Sequence, residues 1–181
     1  MSDRDIFLVG YRGSGKSTVG RLLAERLDCP FYDADLLFRE RAGQEIAEFV
    51  ELRGWDEFRR LESEILTRFV AAGRAEKQRI LATGGGIVLA AENRAWLRRS
   101  GVVIWLQAGV KETQKRLLAD PLSPAQRPPL SKLSPAREIV RDLAARAPLY
   151  RETAHYTIAV DGLDANVIVE RIVAFLLQPS L

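Results

Sequence analysis

The residues Gly10-Tyr11-Arg12-Gly13-Ser14-Gly15-Lys16-Ser17 combine the types and spacing best suited to chemistry in this sequence. An apolar run at 6–9 precedes them and a helix-like pattern over 18–27 follows. That is the phosphate-binding loop G-x-x-x-x-G-K-[ST] in the strand–loop–helix setting it needs. Its glycines let successive backbone N–H groups turn inward as an anion nest at a helix N-terminus. Arg12, Gly13, Ser14, Gly15, Lys16, Ser17 and Thr18 are therefore expected around the phosphates of a nucleoside triphosphate. Lys16 serves as a point charge on the β and γ phosphates, and the Ser17 hydroxyl as a Mg²⁺ ligand. The bland alternative is a Gly/Ser turn with a solvated lysine, which the flanking pattern makes the poorer account.

Phosphoryl transfer also needs carboxylates near the metal and the nucleophile. Phe31-Tyr32-Asp33-Ala34-Asp35 offers two, which strand alternation would send to the same side. One is suited to supporting the metal through water, the other to accepting a hydrogen bond from a substrate hydroxyl. Helix capping is the competing use of such acids, and Asp35 is expected to do some of it. Arg59 and Glu62, in Trp55-Asp-Glu-Phe58-Arg59-Arg60-Leu61-Glu62, are i,i+3 neighbours on a helix, and a surface ion pair is the plain reading. Gly84-Gly85-Gly86 follows the third apolar run. A turn needs one glycine, so three in a row point to something packing against bare backbone. Arg127 lies in a stretch with four prolines, and Arg146-Ala-Pro-Leu-Tyr150 precedes the last apolar run.

The elements that must position these groups alternate. Short apolar runs fall at 6–9, 31–32, 80–82, 102–106 and 156–160, with helix-like segments at 16–27, 35–42, 45–72, 90–99, 109–119, 134–147 and 164–177. Strands alternating with helices imply a doubly wound α/β fold, a parallel five-stranded sheet flanked by helices. The 181 residues are expected to form one domain, with a phosphate loop at 10–17, a substrate-binding region over about 33–62 and a mobile lid over about 120–132. A net charge of +3, carried mostly by arginine, favours an anionic small molecule as partner. No Lys/Arg block with interleaved aromatics points to nucleic acid. No apolar run approaches the roughly 20 residues of a membrane span, and the first residues lack a signal-peptide pattern. Cys29 is the only cysteine, which fits a reducing cytoplasm and a small buried apolar role. His155, the only histidine, and Trp55, Trp96 and Trp105 read as structural, with Trp55 near enough to Phe58 to line a pocket.

Taken together, G-x-x-G-x-G-K-S, F-x-D-x-D, F-R-x-x-E, the triple glycine, R-P-x-L and R-x-P-L-Y, in this order along nearly the whole chain, resemble the shikimate kinases. The resemblance implies a fold like that of nucleoside monophosphate kinases and transfer of the ATP γ-phosphoryl group to the 3-hydroxyl of shikimate. It implies that Asp35, Arg59, Gly84, Gly85, Gly86 and Arg146 bind shikimate. Lys16, Ser17 and Asp33 then manage phosphates and Mg²⁺, Lys16, Asp35 and Arg127 carry the catalysis, and Arg127 closes over the transferring group from the lid. ATP and shikimate are the expected partners of a monomer. Two departures stand out: the lid lacks an upstream arginine that several family members carry, and Thr83-Gly84 brings no Walker-B acid, leaving Asp33 as the main metal support. Adenine contacts in the lid and at 160–166 are not assigned by the pattern. The alternatives are a degenerate kinase-fold sensor, which would be expected to lose Asp35 or Arg59, and another small-metabolite kinase of the same fold, which does not require Asp35, Arg59, the three glycines and Arg146 together.

Overall fold

The structure, a computed structural model, describes residues 4–73, 78–119 and 134–178. The chain runs β1 (Asp5–Val9), α1 (Lys16–Leu27), β2 (Phe31–Asp33), α2 (Ala34–Ala42), α3 (Ile46–Ala71) and β3 (Ile80–Ala82). It continues through a 3₁₀ turn (Ile87–Leu89), α4 (Ala91–Ser100), β4 (Gly101–Gln107), α5 (Val110–Ala119), α6 (Pro135–Thr153), β5 (Tyr156–Ala159) and α7 (Ala165–Leu176). The expected lid over residues 120–132, with Arg127, lies outside the described residues.

All strand pairings are parallel, in the order β2-β3-β1-β4-β5. Alternation along β1 explains why its sequence is continuously apolar. Ile6 and Leu8 enter one core with α1 and α7, while Phe7 and Val9 enter the other with α3, α4 and α6. Both faces are buried, as expected of a parallel sheet covered by helices. Trp105 on β4 stacks on Tyr150 of α6, with ring centroids 5.5 Å apart. A third apolar cluster, Phe38, Ile46, Phe49, Phe58, Leu61 and Ile65, joins α2 to α3 beyond the sheet edge. The strand order places β1 at the centre, so the loop after Val9 opens between neighbours approached from opposite directions, where doubly wound folds bind ligands.

Two helices depart from the expected pattern. The segment 45–72 is not one straight helix: Gly54, at φ 81 and ψ 170, breaks α3, a conformation that a side chain would strain. The break lets Trp55, Phe58 and Arg59 face a cavity while Ile46 and Phe49 still pack on α2. The second departure is α6, which runs through Pro148 to Thr153 where the sequence placed its end near 147. Pro148 removes one backbone donor, but the turn beyond it is held from outside. Tyr150 donates to the Gly85 carbonyl, and Arg98 reaches the carbonyl oxygens of Glu152 and Thr153 at 2.7 and 3.3 Å. Cys29 is only partly buried, against the α1/α7 core, because it sits just past the end of α1.

Candidate active site

The C-terminal ends of β1, β2 and β3 deliver their following loops to one cavity of about 250 Å³, which the broken α3 closes from the side. Gly15, at φ 91 in the left-handed region, turns the chain from the loop into α1, whose first residues are Lys16, Ser17 and Thr18. Lys16 Nζ donates to the carbonyls of Gly10 and Tyr11, both at 2.9 Å, so the ammonium is held over the loop and not out in solvent. Arg12, Gly13, Gly15, Lys16, Ser17 and Thr18 all line the cavity, whereas Ser14 is buried beneath it.

Asp33 ends β2 and receives the Ser17 hydroxyl on Oδ2 at 2.5 Å. Its other oxygen accepts the Asp35 backbone N–H at 3.0 Å. The helix cap is therefore Asp33, not Asp35. Strand alternation is also the wrong reason for bringing the two acids together, because α2 already starts at Ala34. Asp35 stands in the first turn of α2, and both acids reach the cavity.

Arg59 and Glu62 do not form a surface pair. Glu62 is only 6% exposed and accepts from Arg59 Nη1 at 2.5 Å. The Arg59 guanidinium also lies 4.9 Å from the Phe58 ring centroid and 5.4 Å from that of Trp55. Burial pushes the Glu62 carboxyl above its ordinary range, while Arg59 and then Arg146 pull it down. The three glycines now have occupants for their missing side chains. A Cβ on Gly84 would collide with Glu62 Oε1, and one on Gly86 with the Arg59 guanidinium. A Cβ on Gly85 would sit 3.2 Å from the backbone nitrogen of Arg12. Bare backbone thus lets α3 and the phosphate loop close on the end of β3.

Arg146 comes from α6 on the far side, 8% exposed. Its Nη1 donates to the Gly85 carbonyl at 3.2 Å and its Nη2 to Asp142 Oδ2 at 3.0 Å. One turn earlier, buried Glu138 pairs with Arg12 of the phosphate loop. Sequence reasoning missed Glu138, Asp142 and Arg116. Arg116, on α5, contacts the Gly13 and Val160 carbonyls, both at 3.4 Å, and is held by Glu112 at 2.7 Å. Its guanidinium lines the cavity beside the phosphate loop. The only sequence signal for any of them was helical spacing: Glu112 to Arg116, and Glu138, Asp142 and Arg146 each one turn on.

The lining is therefore cationic on balance, with Arg12, Lys16, Arg59, Arg116 and Arg146 against Asp33, Asp35 and Glu62. Such a cleft attracts and holds polyanions while keeping acids available for a metal and a hydroxyl. Ser17 Oγ and Asp33 Oδ2 are two adjacent hard oxygen donors. That suits Mg²⁺, which takes one or two protein oxygens and leaves its remaining positions to phosphates and water. His155 plays no part in the cleft. Its Nδ1 accepts the Val103 N–H at 3.0 Å, between β4 and the start of β5.

Comparison with known proteins points to one family. The family profile described as "Shikimate kinase" matches residues 12–177. The chain is 46% identical over 171 residues to the shikimate kinase of Nitratidesulfovibrio vulgaris, covering 94% of each. It is 42% identical over 172 residues to shikimate kinase 2 of Yersinia pestis, again covering 94% of each. Among solved structures, shikimate kinase from Acinetobacter baumannii in complex with shikimate superposes with a TM-score of 0.89 at 35% identity, covering 98% of this chain and 95% of that one. With a family match along almost its whole length, and the phosphate loop, paired acids and several arginines in one cleft, this chain belongs to the shikimate kinase family.

Proposed function

We propose that the cleft between the phosphate loop and α3 is where this kinase transfers the γ-phosphoryl group of ATP to the 3-hydroxyl of shikimate, giving shikimate 3-phosphate and ADP. The observation that carries the reading is convergence: Lys16, Ser17, Asp33, Asp35, Arg59 and Arg146, from five separate elements, border one cavity. Two arginine forks suit the single carboxylate of shikimate, and Asp35 suits one of its hydroxyls. The backbone of Gly84, Gly85 and Gly86 forms the wall beside them.

Each residue has a definite task in this reading. The phosphate loop and Lys16 hold the phosphates in line and neutralise the charge that spreads over the equatorial oxygens of the transferring group. Ser17 and Asp33 hold Mg²⁺, which supplies charge neutralisation on the phosphate oxygens when bound. Asp35 accepts a hydrogen bond from the attacking hydroxyl and takes its proton. Arg59 and Arg146 fix the substrate through its carboxylate, so that the hydroxyl faces the phosphate loop. Arg127, outside the described residues, belongs to the same scheme as a cation for the γ-phosphoryl, and Arg127→Ala should lower kcat more than it changes ATP affinity. The chain acts as a monomer in the cytoplasm; among the described residues no helix is long and apolar enough to cross a membrane.

A coupled ADP-release assay with shikimate, gluconate and nucleoside monophosphates tests the assignment. Turnover with shikimate is expected. Activity with one of the others, and none with shikimate, would overturn it.

A further inference from the structure

Arg146 does not hold its place by its own stem. Its guanidinium is fixed at both terminal nitrogens, by the Gly85 carbonyl at 3.2 Å and by Asp142 Oδ2 at 3.0 Å. Asp142 is one helical turn earlier on α6 and only 5% exposed. Both of its oxygens are engaged. Oδ1 accepts from Arg141 Nε at 2.9 Å and Nη2 at 2.8 Å, and Oδ2 receives Arg146 and, at 3.4 Å, the Tyr11 hydroxyl. With each oxygen committed, the carboxylate cannot rotate, and it holds the Arg146 fork in one orientation.

Tyr11 extends this link. It lies between Gly10 and Arg12 in the phosphate loop, 2% exposed, and its ring centroid is 5.3 Å from the Arg146 guanidinium carbon. Burial pushes its phenol above the ordinary range, so the hydroxyl keeps its proton and stays a donor.

We infer that Asp142 is a positioning residue for shikimate: it presents the Arg146 guanidinium to the substrate carboxylate and, through Tyr11, ties that orientation to the phosphate loop. The inference rests on the reading that Arg146 binds the carboxylate. An arginine left to sample its rotamers would have to be ordered at each binding event, whereas one already locked has lost that freedom in the free protein. A buried ion pair that only stabilises the fold would change melting temperature and nothing in the kinetics.

The experiment compares Asp142→Ala, Asp142→Asn, Arg146→Lys and the double variant Asp142→Ala/Arg146→Lys by KM for shikimate, KM for ATP and melting temperature. Asp142→Ala is expected to raise KM for shikimate about ten-fold and to leave KM for ATP within about two-fold. In the Arg146→Lys background the same change should cost less than about two-fold, because the geometry it protects is already gone. If Asp142→Ala does not fold, Asp142→Asn, which keeps the shape and one acceptor, carries the test with a smaller rise in KM for shikimate. An unchanged KM for shikimate in a folded Asp142 variant, or equal penalties in both backgrounds, overturns the inference. Arg146→Lys separates the two levels. If it raises KM for shikimate while the Asp142 variants do not, only the positioning role falls; if it too is silent, the carboxylate reading of Arg146 falls with it.

Discussion

Ser17 and Asp33 meet at 2.5 Å, hydroxyl on carboxylate, joining the last residue of the phosphate loop motif to the end of β2. The contact gives Asp33 two loads, since its other oxygen caps α2 through the Asp35 N–H. Asn is as good a helix cap as Asp but a poorer ligand for a hard cation. Asp33→Asn should therefore keep its melting temperature while needing several-fold more Mg²⁺ for half-maximal rate. Titrating Mg²⁺ at fixed ATP measures this. An unchanged Mg²⁺ requirement would reduce Asp33 to a cap.

Lys16 and Asp35 should separate by which parameter they move. Lys16 is held over the loop by the Gly10 and Tyr11 carbonyls, and removing a preorganised cation of this kind costs about 100-fold or more in kcat. Lys16→Ala is expected to show at least that loss. Asp35→Asn keeps size and polarity but cannot take a proton, so kcat should fall by about 100-fold or more with ATP binding almost intact. Single-turnover rates beside ATP titrations check both, and a normal kcat in Asp35→Asn would remove it from the chemistry.

For Arg59, geometry replaces a plain expectation with a sharper one. A solvated ion pair would tolerate lysine at a cost of a few tenths of a kcal/mol. Here the guanidinium is wedged between Glu62, the Phe58 and Trp55 rings and bare Gly86. Lysine keeps the charge and loses the fork, so Arg59→Lys should raise KM for shikimate roughly five- to ten-fold. Steady-state kinetics at saturating ATP decides it.

The phosphate loop, the order of strands and helices, and the three glycines were legible because each rests on local chemistry: a spacing, a period, a missing side chain. The partners of those glycines were not, since Glu62 and Arg59 reach Gly84 and Gly86 from an element whose break at Gly54 no periodicity marks. Asp33 and Asp35 were read as neighbours for the wrong reason, because α2 starts at Ala34, one residue earlier than expected, and strand alternation stops at Asp33. Glu138, Asp142 and Arg116 stayed hidden for a different cause. Their sequence pattern is that of an exposed helix face, and only packing turns that face toward the phosphate loop. Pro148 misled in the same way, since contacts from Tyr150 and Arg98 outweigh one lost helix bond.

His155 gives stability a pH dependence on the acid side. Burial, then Arg98 and Arg4, lower its pKa from the ordinary 6.5, and Nδ1 must stay unprotonated to accept the Val103 N–H. A group whose folded pKa is depressed binds protons more readily in the unfolded chain, so stability is lost as pH falls below about 6.5. Urea midpoints should drop between about pH 7.5 and pH 5.5 in the parent protein. His155→Leu, lacking the acceptor, should start lower at the higher pH and lose less on acidification. Parallel midpoints for the two proteins would exclude this contribution.

Gly86 offers a way to move Arg59 without mutating it. Its backbone, at φ −100 and ψ −1, has negative φ and is open to alanine, so the substitution meets none of the strain of a left-handed position. The added methyl would instead occupy the space of the Arg59 guanidinium. That guanidinium is the far end of a flexible side chain and can yield, which keeps the cost in stability small, but in yielding it leaves Glu62 and the position proposed to meet the carboxylate. Gly86→Ala should then fold with a melting temperature near that of the parent, bind ATP normally and show KM for shikimate raised about ten-fold. Adding Arg59→Lys to Gly86→Ala should do little more, because both changes remove the same fork. A large fall in melting temperature with unaltered KM would mean that the glycine serves packing alone, and a KM effect that simply adds to that of Arg59→Lys would mean that the methyl acts on the substrate directly.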